Sequence, residues 1–379
     1  MTDSLEKLPR TRRAIEEGIR DRLHLGAQVY VSLYGEPQAD GAVGENRPGE
    51  PLTADHLMLW LSSTKPVAAV ALAQLWERGR LELDDPVAAH IPEFGVHGKE
   101  RITLRHLLTH TAGIRMLDVG WPDHSWEEIL ARICGMRPEP RWVPGEKAGY
   151  HTASSWFVLG EVIRRLDGRP FDRFVREEVF EPLGLHDSWV GMPPERYLFY
   201  KTAGRLGAMW MSEGSEGPEI KDHGWDSEAR CVRCNPGGNG YGPVRELGRF
   251  YEMLLARGSL AGRRVLSPQT VEALTARHRT GMMDATFKHV LDWGLGFIVN
   301  SARYGVETVP YGYGHHASAR TFGHSGYRSS AGFADPERGL AVALAFNGTP
   351  GNERHEARVR SVLDAIYEDL GLAGPAGPA

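Results

Sequence analysis

At 379 residues the chain exceeds one ordinary hydrophobic core, so two lobes, or one large domain with an insertion, are expected. A hydrophobic content of 41% and a charged content of 25% are those of a soluble globular protein. A net charge of -5 without a Lys/Arg run argues against a nucleic-acid surface, and no apolar stretch reaches membrane-spanning length.

Met1 to Arg22 interleaves basic with acidic side chains and has no apolar signal core, and three cysteines suit a reducing compartment; the expectation is a cytoplasmic protein. Leu5 to about Leu25 reads as an amphipathic helix on Ile15, Ile19 and Leu23. Gly26 to Tyr34 reads as a strand, with Gly35-Glu36-Pro37 as the turn of a hairpin. A helix from Ser62 to about Arg78 carries Val67, Val70, Ala71, Leu75 and Trp76, and Pro66 is tolerated in its first turn.

From about Asp85 to Val190 helices alternate with Pro/Gly turns. Thr103 to Gly113 reads as a short helix with a glycine cap, Thr152 to Asp167 as a helix closed by Gly168, and Phe171 to Phe180 as a third. Tyr197 to Gly242 has the least regular pattern, with Trp210 and Trp225 as candidate cleft linings. Pro243 to Arg257 and Ser267 to Arg277 read as helices. Strand character returns at Trp293–Asn300, Arg320–Gly323, Ala331–Ala334 and Leu340–Phe346, the last two joined by a turn at Asp335 to Gly339. Asn352 is the expected cap of a last amphipathic helix on Val359, Val362, Leu363, Ile366, Tyr367 and Leu370.

The expected fold class is therefore α/β (α+β): an antiparallel sheet flanked by N- and C-terminal helices, with an all-α insertion lobe and a cleft between the two. The expected division is 1–84 with 226–379 as the α/β lobe, 85–225 as the helical insertion, and 374–379 as a flexible tail.

Ser62 and Lys65 stand three residues apart at a helix start, a spacing that stacks a hydroxyl and an amine on one face where the helix dipole favours negative charge. That is one way to make a serine nucleophilic without a histidine. Tyr150, in Gly149-Tyr150-His151-Thr152, is the candidate general base and acid, on the expectation that a nearby lysine ammonium favours its phenolate. Phe322-Gly323-His324-Ser325-Gly326-Tyr327 ends a strand, so His324 would face the site while the glycines admit substrate to the backbone. The backbone N–H groups of Ser62 and Tyr327 are the candidate oxyanion donors.

Ser62-Ser63-Thr64-Lys65, Leu104 to Gly113, Pro144-Gly145-Glu146 with Tyr150, Pro182-Leu183-Gly184 and Gly323-His324-Ser325-Gly326 occur in one order. Together they resemble the serine hydrolases related to class C β-lactamases and penicillin-binding proteins, a group that includes D,D-peptidases, D-aminopeptidases and carboxylesterases of similar fold. The likeness runs from about Gly26 to Gly348. It implies Ser62 as the acylated nucleophile, Lys65 as its partner, Tyr150 as base and acid, His324-Ser325-Gly326 where lactamases have Lys-Thr-Gly, and no cofactor.

Two departures favour a plain ester or small amide over a β-lactam. The Tyr-x-Asn motif is here Tyr150-His151-Thr152, and the missing Asn usually binds a substrate amide carbonyl, which the shorter Thr152 would not reach. His324, neutral at pH 7, binds a carboxylate less well than lysine. His106 and His110 would share a helix face, but no third ligand is indicated and no metal is expected. Cys231-Val232-Arg233-Cys234 is a single C-x-x-C, and a Gly-x-Ser-x-Gly elbow is absent. The expected function is ester hydrolysis through a Ser62 acyl-enzyme, with a small-molecule substrate and neither nucleic acid nor membrane as partner. The alternatives are an amidase, a D-amino-acid peptidase or weak β-lactamase of the same fold, or a non-catalytic binding or assembly protein that kept the fold.

Overall fold

The computed structural model describes residues 4–115, 118–212 and 221–374. Of the expected tail only Gly374 falls within them, and 213–220 of the irregular stretch fall outside.

The first and last parts of the chain meet in one sheet. Its strands lie in the spatial order Asp292–Trp293, Ile298–Val299, Phe322–Ser325, Ser330–Asp335, Leu340–Phe346, Gly26–Leu33, Glu36–Arg47 and Glu50–Pro51, all neighbours antiparallel. Gly26–Leu33 pairs with its hairpin partner on one side and with Leu340–Phe346 on the other, in register from Ala27 opposite Phe346 to Leu33 opposite Leu340. Tyr34 and Gly35, both at positive φ, make the tight hairpin turn. The expected strand at Trp293–Asn300 is two short strands instead, broken at Gly294 to Phe297.

Each sheet face has its own core. On one side lie the terminal helices Pro9–Arg20 and Asn352–Asp369, which bury Ile15, Val359, Val362 and Ile366 against Val29, Val342 and Leu344. Thr11 ties them by donating its Oγ1 hydroxyl to Asp369 Oδ2 at 2.9 Å. The N-terminal helix is shorter than expected because Pro9 opens it. Gly351, not Asn352, occupies the N-cap position of the last helix; the Asn352 side chain instead accepts from Arg328. On the other side, helix Val244–Leu255 lies on the sheet, and helix Lys65–Glu77 is buried on nearly every face. One continuous core joins that side of the sheet to the helices Leu104–Leu108, Trp126–Gly135 and Ser154–Asp167.

The stretch 197–242 has more order than its composition suggests. It takes in most of helix Pro194–Thr202, strands Trp210–Met211 and Lys221–Asp222, helix Glu228–Val232 and strand Gly240–Gly242. Gly240–Gly242 pairs with both Met58–Leu61 and Trp189–Val190, which carries the loop to the strand before Ser62. No helix among the described residues is long and apolar enough to cross a membrane.

Gly248 sits where the helix Val244–Leu255 crosses Tyr30, and a Cβ there would overlap the Tyr30 ring. That ring cannot swing away freely, because its hydroxyl donates to buried Glu252 at 2.6 Å. Gly248→Val is expected to destabilise the protein by about 1–3 kcal/mol through overpacking, read as a lower urea midpoint at unchanged m-value.

Candidate active site

Strand Met58–Leu61 delivers the chain to Ser62 through a strained residue: Leu61 has φ 50° and ψ -133°, a conformation that L side chains seldom adopt. Ser62–Thr64 forms a 3-10 turn, and the α-helix begins only at Lys65, one turn later than the sequence pattern places it. The two residues between Ser62 and Lys65 anchor that turn. Ser63 Oγ donates to His324 O at 3.1 Å, and Thr64 Oγ1 donates to Leu61 O at 2.6 Å while accepting from Gly240 N at 2.8 Å. Gly326 allows the close approach, because a Cβ would run into Trp60 O and Leu61 Cβ.

Ser62, Lys65 and Tyr150 converge. Lys65 Nζ lies 2.9 Å from Ser62 Oγ, and the Tyr150 hydroxyl donates to the same Oγ at 2.8 Å. Lys65 is fully buried, and its amine also donates to Thr152 O at 3.0 Å and Gly237 O at 2.7 Å. The rings of Tyr150 and Trp156 stand 5.1 and 5.5 Å from Nζ. Among the described residues no carboxylate touches this amine. Burial therefore holds its pKa well below the usual lysine range, and burial also pushes the Tyr150 phenol up, outweighing the opposing effect of its bond to Ser62. This corrects the expectation of a phenolate favoured by a lysine ammonium: both groups are biased to their neutral forms.

Tyr150 is held by residues that the sequence pattern does not reveal. Asp284 Oδ1 accepts the Tyr150 N–H at 3.1 Å, and Thr286 Oγ1 donates to Tyr150 O at 3.1 Å. Asp284 is fully buried and its second oxygen accepts from the equally buried Arg279 at 3.1 Å. His110 brackets the tyrosine, its carbonyl accepting Gly149 N and its Nδ1 accepting His151 N, each at 3.0 Å. His110 itself lies beyond the helix Leu104–Leu108, at φ 57°, so it shares no helix face with His106.

His324 lines the same cleft as Ser62. Its Nδ1 lies 2.8 Å from Ser325 O; since a carbonyl only accepts, Nδ1 carries the proton and Nε2 has a bare lone pair. Burial drives the His324 pKa down to about 3, Lys65 adding to the effect, so the ring is neutral. Thr152, Ser325 and Tyr327 also line the cleft, which encloses about 710 Å³. Thr152 meets Lys65 through its carbonyl, a contact that any residue could make. The remaining walls are Thr286, Phe287, the 307–311 segment, Arg328 and the first turns of the last helix.

Neither expected tryptophan lines this cleft. Trp210 is buried elsewhere, donating to Asn46 O at 2.9 Å, and Trp225 stacks on His223 with ring centroids 4.1 Å apart. Cys231 and Cys234 are free thiols whose pKa values burial raises, the condition of unreactive cysteines. No cluster that could hold a metal occurs among the described residues.

A serine hydroxyl paired with a buried amine, on a helix beneath an antiparallel sheet, defines the Ser-x-x-Lys class of acyl-transfer fold. The family model described as Beta-lactamase matches residues 11–366, and the chain belongs to that family. Esterase EstB of Burkholderia gladioli is 29% identical over 356 residues, covering 88% of each chain. A penicillin-binding protein homologue from Caulobacter crescentus superposes with a TM-score of 0.76 at 29% identity, covering 96% of this chain and 98% of its own. A family VIII carboxylesterase gives a TM-score of 0.78 at 26% identity, covering 96% and 97%.

The Arg279–Asp284 pair makes the Tyr150 mount testable. Asp284→Asn leaves the Arg279 guanidinium buried without its counter-charge, and a loss of about 3–5 kcal/mol in unfolding free energy is expected. An unchanged denaturation midpoint would mean that the pair is not what fixes this part of the site.

Proposed function

We propose that the protein is a serine hydrolase that cleaves a carboxylic ester through an acyl-enzyme on Ser62. The observation that carries this reading is the convergence of Lys65 Nζ and the Tyr150 hydroxyl on one serine oxygen, at 2.9 and 2.8 Å, in an open cleft.

A neutral lysine amine has two N–H groups and one lone pair. With Thr152 O and Gly237 O taking the two N–H groups, the lone pair is left for the Ser62 proton. Lys65 then acts as the base as Oγ attacks the ester carbonyl, and the Ser62 and Tyr327 N–H groups receive the oxyanion. Tyr150, a neutral phenol, is suited to give its proton to the departing alkoxide and to recover one from the Lys65 ammonium. Water repeats the sequence in reverse to release the acid.

Two features favour an ester over a β-lactam. His324 spends its one N–H on Ser325 O and brings no positive charge for a lactam carboxylate. Thr152 offers no long amide side chain to a substrate carbonyl. The likeness to EstB and to the family VIII carboxylesterase supports the same choice. Hydrolysis of a small amide is the second reading, supported by the similarity to the penicillin-binding protein homologue. We also read the enzyme as cytoplasmic, on the strength of its three free cysteines.

The substrate choice is tested with p-nitrophenyl acetate and butyrate against nitrocefin and a D-alanyl anilide. Turnover of the nitrophenyl esters, abolished in Ser62→Ala, is expected; turnover of the anilide alone would replace the ester reading with the amide one. The base is tested by pH. Because burial favours the uncharged amine, kcat/KM should be level through neutral pH and fall on the acid side as Lys65 gains a proton. A rate that kept climbing toward pH ~10, the ordinary lysine range, would contradict this assignment.

A further inference from the structure

The cleft beside Ser62 has a second chemical pole that ester hydrolysis does not use. Aromatic rings in contact lead to it: Tyr150 meets Phe287 with centroids 4.9 Å apart, and Phe287 meets Tyr311 at 5.5 Å in a T-shaped arrangement. Next to Tyr311, on the last helix, Glu356 lines the same cleft, and its carboxyl accepts the Tyr311 N–H at 3.1 and 3.3 Å. Among the described residues that is the one hydrogen-bond donor to this carboxyl, which leaves most of its lone-pair capacity unused.

Of the surrounding charges, Arg360 acts on this carboxyl through space, but its hydrogen bonds go elsewhere. Arg360, one turn along the helix, is engaged by Glu307, at 2.9 Å from its carboxylate and 3.2 Å from its carbonyl. Glu307 also meets His315 at 2.7 Å. Arg328 donates to Asn352 Oδ1 and lies over the Tyr327 ring at 4.8 Å. Glu353 is exposed, and the buried His355 is held neutral by desolvation, with Arg358 adding to the effect. A carboxylate beside aromatic faces is the pairing that recognises alkylated ammonium ions: the ring quadrupoles and the anion attract the same charge, while the rings shed water from its methyl groups.

Resting on the reading of this cleft as the substrate site, we propose that its outer end is an ammonium subsite, in which Glu356 and the rings of Tyr311 and Phe287 hold a cationic alkylammonium group carried by the ester substrate. Burial supports the assignment by holding the Glu356 carboxyl up at about 7, so a bound cation would draw it into its ionised form.

The test uses two compounds of one shape and different charge, choline and 3,3-dimethylbutan-1-ol, titrated into the full-length protein and followed by NMR. Choline is expected to bind about tenfold more tightly than the neutral alcohol, and the advantage should shrink to threefold or less in E356Q. Choline keeps its charge at every pH, so in the unaltered protein the advantage should also grow from about pH 5 to pH 8 as Glu356 ionises. This second measurement stands even if E356Q fails to fold. Equal binding of the two compounds, an advantage untouched in folded E356Q, or an advantage flat with pH would each overturn the subsite. Neither compound is an ester. A protein that bound choline in this way yet hydrolysed no ester would refute the esterase reading and keep the subsite, whereas an active esterase indifferent to the charge would refute the subsite alone.

Discussion

The structure turns on a lysine amine taken out of water with no counter-ion among the described residues. A fully buried ammonium with no carboxylate beside it is costly enough that the group shifts toward its neutral form instead. Lys65 meets that condition: its neighbours are a serine hydroxyl, two backbone carbonyls and two aromatic rings. These neighbours come from three parts of the chain: the turn at Ser62, the 150–156 segment and the loop at Gly237. Helix Lys65–Glu77 supplies the amine, the 150–156 segment supplies Thr152 O and both rings, and the 237 loop supplies the last carbonyl. The buried helix, the strand pairing of Gly240–Gly242 and the clamp on Tyr150 all serve to keep this amine dry and aimed at one oxygen.

The same reasoning ranks the polar groups around the cleft. Lys65, Tyr150 and His324 are all moved by burial toward neutrality, so the reaction centre carries little fixed charge. The ionisable side chains that line the rest of the cleft are Glu307, Glu353, Glu356, Arg328 and Arg360.

Side chains with chemical identity were legible in the sequence; backbone contributions were not. Ser62 and Lys65 stand at a spacing that marks them, Tyr150 and His324 in motifs that the family resemblance marks, and all four line or adjoin one cleft. Gly237 contributes a carbonyl and Thr152 acts on Lys65 through its carbonyl, so neither residue type could signal the role. Asp284 holds Tyr150 by a hydrogen bond across a long sequence separation, and Arg279 acts through Asp284, which periodicity cannot register. The choice of Trp210 and Trp225 as linings failed for a related reason. Aromatic content marks burial as readily as a ligand wall, and the true walls come from 286–287, 307–311 and the last helix. The apparent irregularity of 197–242 reflected strands of two or three residues whose partners are distant, such as Gly348–Thr349 beside Trp210–Met211.

The central claim is that Ser62 is the nucleophile and that the buried amine of Lys65 activates it. Labelling with a fluorophosphonate, followed by peptide mass spectrometry, tests this most directly, because it reads the modified atom's residue and does not depend on the natural substrate. The account predicts one adduct, on the peptide that contains Ser62, formed at least a hundredfold more slowly in Lys65→Ala, within the range that general-base catalysis contributes. No adduct, an adduct on another residue, or an equal rate in Lys65→Ala would contradict it.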